Sequence, residues 1–274
     1  MDKKKYGLVD IYGGFGNQLF QYSIANYLEN RGLKIKINVH WYSNEHKFPR
    51  DLIFNPEFYD FKTANKKDLR LFQILDNTKN NKFYFKNPSE ILKISDFKLF
   101  NRFIGYWQDL IYLENSKYFL TSKLKNNKNI KNGLNFVPDD NSVMIHVRRG
   151  DYVSTKKFID ISYFENAINK IKNRVKKPKF NVFTDDKEWV ESQSIFNDVE
   201  NIFHSSSSKK DTILTFSEML KHNHFIISNS TFSYLAAYFK FNENSTIVIP
   251  EPWMPNSKRL YNLYDKQWIK IKSN

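Results

Sequence analysis

The sequence predicts an α/β protein made of two domains, each with a parallel sheet. Three observations carry that reading. Strand-like and helix-like runs alternate near both ends of the chain, the rhythm that covers a parallel sheet with helices on its faces. The 274 residues suit one large or two modest domains, at roughly 100–200 residues each. Three segments rich in anion-holding groups each lie at a junction of a strand-like and a helix-like run.

Leu8–Tyr12 reads as a short opening strand. A glycine-rich turn follows, then a helix from Gln18 to Arg31. Its apolar stripe is Leu19, Tyr22, Ile24, Ala25, Tyr27 and Leu28, and Gly32 stands at the C-terminal cap position. Leu33–Val39 alternates as a strand does, which completes a β–turn–α–β unit. From Trp41 to Asn132 the pattern is irregular. Phe103–Gln108 suggests a strand running into a loop, and Leu110–Leu124 suggests a helix. The polar run Asn126–Gly133 is the candidate for a domain linker, or for a loop just before one. The division expected is 1–138 for an N-terminal α/β domain and 139–274 for a second one.

The second half restarts the rhythm. Ser142–Val147, Phe180–Thr184, His224–Ser228 and Thr246–Pro250 read as strands, with Ile202-Phe203 as a short one. Helices are expected over Tyr163–Lys176, Asp211–His222 and Phe232–Phe239.

Composition bounds the function. Hydrophobic residues make up 41% and aromatics 17%, enough apolar mass for folded cores and against general disorder. No cysteine is present, which excludes disulfides and thiolate metal sites. The start of the chain is too short and polar in its apolar stretch for a signal peptide, and no segment reaches the roughly 20 apolar residues that span a bilayer. A soluble cytoplasmic protein is the expectation, with contact at the inner membrane face left open. The net charge of +14 fits a phosphorylated small molecule, an anionic surface or nucleic acid. The lysines are scattered beside asparagines, and no nucleic-acid-binding signature appears, so nucleic acid is not expected as a partner.

The first motif is Gly13-Gly14-Phe15-Gly16-Asn17-Gln18-Leu19-Phe20-Gln21-Tyr22. Glycines let the backbone turn tightly and approach a ligand, and the N–H groups of the helix start favour an anion. Asn17 and Gln18 add neutral donors. A plain helix-start turn would use one glycine. The second motif, His146-Val147-Arg148-Arg149-Gly150-Asp151-Tyr152, ends a strand where α/β sheets bind ligands. One arginine is expected to face a ligand with its planar fork and the other to brace the site, through Asp151; a surface Arg–Asp pair is the alternative. Asp185 and Asp186 follow another strand. They could accept from a nucleoside, but capping the next helix is the simpler reading. The third motif, Ser228-Asn229-Ser230-Thr231-Phe232-Ser233-Tyr234-Leu235, is either an N-cap with spare hydroxyls or a phosphate seat. His222 and His224 straddle a turn and read as structural. No serine-hydrolase elbow is present.

Together these segments resemble the motifs of glycosyltransferase family eleven, the α-1,2-fucosyltransferases. Phe183-Thr184-Asp185-Asp186-Lys187-Glu188-Trp189-Val190 and Ile249-Pro250-Glu251-Pro252-Trp253 add to the resemblance, which runs from Tyr6 to Trp253. One departure is Tyr234-Leu235, where the family often has tryptophans; these positions are expected to pack a helix.

The resemblance implies a GT-B-like fold with two facing Rossmann-like domains and a cleft, the second domain binding GDP-fucose and the first on the acceptor side. It implies inverting transfer of L-fucose from GDP-β-L-fucose to the 2-hydroxyl of a galactose or related hexose of a glycan, lipid-linked or not, without a metal or other cofactor. Gly14, Phe15, Gly16, Asn17, Gln18, His146, Arg148, Arg149, Asp185, Ser228, Ser230, Thr231, Phe232 and Ser233 are then candidate donor contacts. Arg148, Asn17 and Asp151 are the candidate catalytic residues, Asp151 as base only if no arginine locks it. The alternatives are another linkage (α-1,6 or protein O-linked) and a non-catalytic nucleotide-sugar or glycan binder.

Overall fold

A computed structural model describes residues 4–76, 82–84, 92, 97–255 and 261–273. The chain divides into two compact units, Met1–Leu124 with Leu260–Leu263, and Lys125–Arg259 with Tyr264–Asn274.

The first unit runs β1 (Tyr6–Asp10), α1 (Phe15–Glu29), β2 (Lys34–Asn38), β3 (Lys62–Thr63), α2 (Lys66–Asp76), β4 (Lys82–Tyr84), β5 (Phe100–Ile104), α3 (Leu110–Asn115) and α4 (Lys117–Leu124). Its parallel sheet has the order β3-β2-β1-β5-β4. The chain therefore builds outward from β1 on one side, then crosses to the other. That reversal opens a crevice at the carboxyl ends of β1 and β5. Stacked aromatics fill much of the core, Tyr22 lying 3.9 Å from Tyr59 between ring centroids.

The second unit runs α5 (Lys128–Asn135), β6 (Ser142–Val147), α6 (Gly150–Ser154), α7 (Ile161–Lys172), β7 (Lys179–Thr184), α8 (Lys187–Glu191), β8 (Asn201–His204), α9 (Lys209–Met219), β9 (His224–Ile226), α10 (Thr231–Lys240), β10 (Ile247–Glu251) and β11 (Ile269–Lys272). Six parallel strands take the order β11-β10-β9-β6-β7-β8. This is a doubly wound sheet whose direction reverses between β6 and β9. Val143, Ile145, Val182, Ile226 and Val248 are buried beneath Tyr163, Phe164, Ala167 and Ile171 of α7. Central strands covered on both faces explain the near-continuous apolar runs of β6 and β7.

Several expectations change. The run read as a linker is a helix: Asn127 caps α5 by accepting from the N–H groups of Asn129 and Ile130. Gly133 then lets α5 lie tightly on α9, since a Cβ there would come within 2.5 Å of the Ser217 carbonyl oxygen. Residues 125–138 accordingly go with the second unit, where the sequence reading put the division at 138. The helix expected over Leu110–Leu124 is two, broken at Ser116, whose hydroxyl donates to the Ser23 carbonyl and accepts from Asn26. The sheet ends on β11, a strand the sequence reading did not contain. Tyr234 and Leu235 are fully buried, Tyr234 against Trp253 and Trp268.

Candidate active site

In the second unit, β6 and β9 end side by side, and the loops leaving them carry the second and third motifs. His146 is the penultimate residue of β6 and is 4% exposed. Its Nδ1 lies 2.8 Å from Ser233 Oγ and 3.0 Å from Ser228 Oγ. Ser233 Oγ also donates to the Ser230 carbonyl. Burial, then the neighbouring Arg148, holds the imidazole down to about 3, so it is neutral near pH 7. The ring joins the two motifs by hydrogen bonds rather than by charge.

Arg148 leaves the strand end between two carboxylates. One terminal nitrogen, Nη2, pairs with Asp151, and Nη1 is 2.6 Å from Asp185 Oδ2. A guanidinium has five N–H donors, so engaging both ends of the fork orients it without exhausting it. The Tyr152 ring lies 5.5 Å away. Arg149 points elsewhere. Its Nε donates to Asp186 Oδ2 at 2.9 Å, and its guanidinium lies 4.0 Å from the Trp189 ring centroid and 5.4 Å from that of Phe158. Its backbone N–H donates to Asp185 Oδ1 at 2.8 Å. Arg149 pairs with Asp186 and Arg148 with Asp151, where the sequence reading had Asp151 serve the bracing arginine. Asp186 also caps α8 by accepting from the Trp189 N–H. Two arginines against three aspartates sum to −1. An anion arriving here must compete for the fork rather than find it idle.

The third motif forms the start of α10. Ser230 is its N-cap, with no side-chain capping hydrogen bond. Thr231 and Phe232 are half-exposed, while Ser228, Asn229 and Ser233 are buried. Asn229 donates to the Lys157 carbonyl at 2.8 Å. The structure thus brings together His146, Arg148, Arg149, Asp151, Asp185 and the Ser228–Ser233 turn at one switch point.

The first-unit residues form a separate constellation. Gly13 has φ +79°, a left-handed conformation that favours glycine. Gly14 is the N-cap of α1, and Phe15 and Gly16 are buried in its first turn. Gln18 is committed to the backbone: Nε2 donates to the Gly13 and Asp51 carbonyls, and Oε1 accepts from the Ile53 N–H. Gln21 likewise accepts from Tyr12 and donates to Gly105. Asn17 Oδ1 accepts from Gln108 Nε2 at 2.9 Å. Tyr42, whose hydroxyl burial pushes well up, donates to the Gly13 carbonyl at 2.8 Å. The sequence reading gave no site role to Tyr42 or Gln108, because each acts on a motif from a distant, irregular segment; Trp189 it held only as part of the Phe183–Val190 resemblance.

Among the described residues, no three His, Asp or Glu side chains converge as a metal-ligand group, and no helix is long and apolar enough to cross a membrane. The model of the family described as Glycosyl transferase family 11 matches residues 2–272. An alpha-1,2-colitosyltransferase of Escherichia coli is 27% identical, covering 94% of this chain and 96% of its own. The galactoside 2-alpha-L-fucosyltransferase Sec1 of Mus musculus is 27% identical over 42% of this chain and 32% of its own. The NodZ alpha-1,6-fucosyltransferase co-crystallized with GDP is similar at 14% identity and TM-score 0.47, covering 85% of this chain and 92% of its own.

Proposed function

The chain belongs to glycosyl transferase family 11, and from that premise we propose that it moves L-fucose from GDP-β-L-fucose onto the 2-hydroxyl of a galactose or related hexose of a glycan, forming an α-1,2 linkage with inversion. The observation that carries this reading is Arg148 held between Asp151 and Asp185 at the end of β6. In the transfer, the acceptor oxygen attacks the anomeric carbon while the bond to the diphosphate breaks. Negative charge grows on the departing oxygen. A preorientated guanidinium beside it stabilises that charge more in the transition state than in the ground state. The start of α10 adds N–H groups and the positive end of a helix dipole.

Asp151 is locked onto Arg148, so it serves as a positioning group in this reading. The acceptor's proton passes to the leaving diphosphate, with no side-chain base needed. Neutral His146 and the hydroxyls of Ser228 and Ser233 shape the seat. In this reading the diphosphate displaces a carboxylate from the Arg148 fork and takes further N–H donors from the start of α10, without a divalent cation. An acceptor glycan that is itself lipid-linked through phosphate suits the +14 net charge.

The alpha-1,2-colitosyltransferase relative, matched over nearly its full length, supports a second donor, a colitosyl rather than a fucosyl nucleotide. The deciding experiment offers both GDP-sugars with a panel of β-galactosides and determines the linkage in any product. Product of another linkage, or none, rejects the proposal. Calorimetry of GDP with EDTA present tests the metal-free claim; binding lost on chelation sinks it.

A further inference from the structure

At the carboxyl ends of β1 and β2, within the first unit, lies a cavity of about 350 Å³ that no motif accounts for. Asp10 and Asn38, paired across the two strands, line it together with Arg102 of the neighbouring β5. The polar groups are linked. Asp10 Oδ1 accepts from Asn38 Nδ2 at 2.7 Å, and Oδ2 lies 3.0 Å from Arg102 Nη2. Tyr12 and Trp41 supply the apolar wall. His46 stacks on Trp41 at 3.7 Å between centroids and 13° between planes, and its Nε2 lies 2.8 Å from the Trp41 carbonyl oxygen. The indole is therefore held in place before any ligand arrives. Tyr42, next in the chain, bonds to the Gly13 carbonyl and ties this wall to the glycine turn.

We propose that this cavity is the subsite for one neutral pyranose ring of the acceptor, with Trp41 as its platform. The inference rests on the reading of the protein as a glycosyl transferase and deepens it. The volume lies at the small end of ligand pockets, roughly 300–1,000 Å³, which suits one ring rather than a nucleotide. The cavity's cation, Arg102, is already matched by Asp10, so the lining favours an uncharged ligand over a phosphate. A linked row of amide, carboxylate and guanidinium suits adjacent hydroxyls, which both donate and accept. A flat aromatic face suits the C–H face of a hexose.

Saturation-transfer NMR with methyl β-D-galactopyranoside, with and without GDP, tests this on the wild type, Trp41→Ala and Trp41→Phe. Saturation of the sugar protons is expected with wild type and Trp41→Phe, and about tenfold weaker binding with Trp41→Ala, as for loss of an aromatic stacking partner. GDP affinity by calorimetry should be equal in all three, and the urea midpoint with far-UV circular dichroism reports folding of the unit that carries Trp41. No saturation with wild type, or undiminished saturation with folded Trp41→Ala, overturns the subsite. Failure of the functional reading looks different: the galactoside binds at Trp41, yet wild type transfers no sugar to it.

Discussion

The carboxylate of Asp185 lies so close to Gly150 that a Cβ there could not fit without a shift. From that position it pairs with Arg148 Nη1 and accepts the Arg149 N–H. Gly150→Ala should push Asp185 aside and release one end of the Arg148 fork. Small misplacements of a charge-stabilising group are costly, so turnover should fall by up to about 10²-fold. Steady-state kinetics on a variant with wild-type circular dichroism checks it; unchanged turnover would separate Asp185 from the chemistry.

Arg148→Lys keeps the charge but cannot span Asp151 and Asp185 together. Turnover should drop by on the order of 10²-fold or more, as for loss of one preorganised donor. Arg149→Lys should instead lose the packing against Trp189 and Phe158. Its cost should appear in stability, about 1–2 kcal/mol by urea unfolding. Near-normal turnover in Arg148→Lys with a dead but folded Arg149→Lys would reverse the two assignments.

The buried histidines set the response to acid. His146 is held at about 3 and His222 at about 4, both chiefly by burial, against 6.5 when exposed. Below 6.5 the unfolded chain takes up protons that the folded chain refuses. Stability should therefore fall as the pH drops from about 6.5 towards 3, by up to about 1.4 kcal/mol per pH unit for each group. Urea midpoints from pH 7 to 4.5 should show this slope, and it should be shallower in a folded His146→Gln variant.

Gln18 makes three hydrogen bonds to backbone and is 1% exposed. Gln18→Met keeps the length but leaves buried backbone groups unmet, at about 1–3 kcal/mol. Denaturant unfolding should register that loss. Wild-type stability in the variant would show the brace to be dispensable.

What was legible in the sequence follows from how locally each feature is encoded. Arg148 and His146 stood out because a strand, its charged end and its glycine are contiguous. Their partners were harder. Asp185 follows β7 and Ser233 lies in α10 after β9, and only the sheet order brings them to the end of β6. Asp151 is expected to serve the bracing arginine and Asp186 to cap a helix or meet a nucleoside, and which carboxylate serves which arginine depends on rotamers that spacing does not encode. Gln18 suited a ligand by residue type, and nothing local revealed that Asp51 and Ile53 would claim it. The α5 segment looked like a linker because asparagine and lysine dominate it. Its helical face reduces to Ile130 and Gly133, and the close approach to α9 rests on a missing side chain.

Asn262 gives this chain an order of assembly. The first unit buries the carboxylate of Asp109, whose Oδ1 accepts from Asn262 Nδ2, while the Asn262 carbonyl accepts from the Leu110 N–H. Burial raises the Asp109 carboxyl above its usual range. The segment that supplies Asn262 is made only after most of the second unit has been translated. The N-terminal half can seat Asp109 on the Ile111 N–H by itself, and it gains the two Asn262 contacts only after nearly the whole chain has been made.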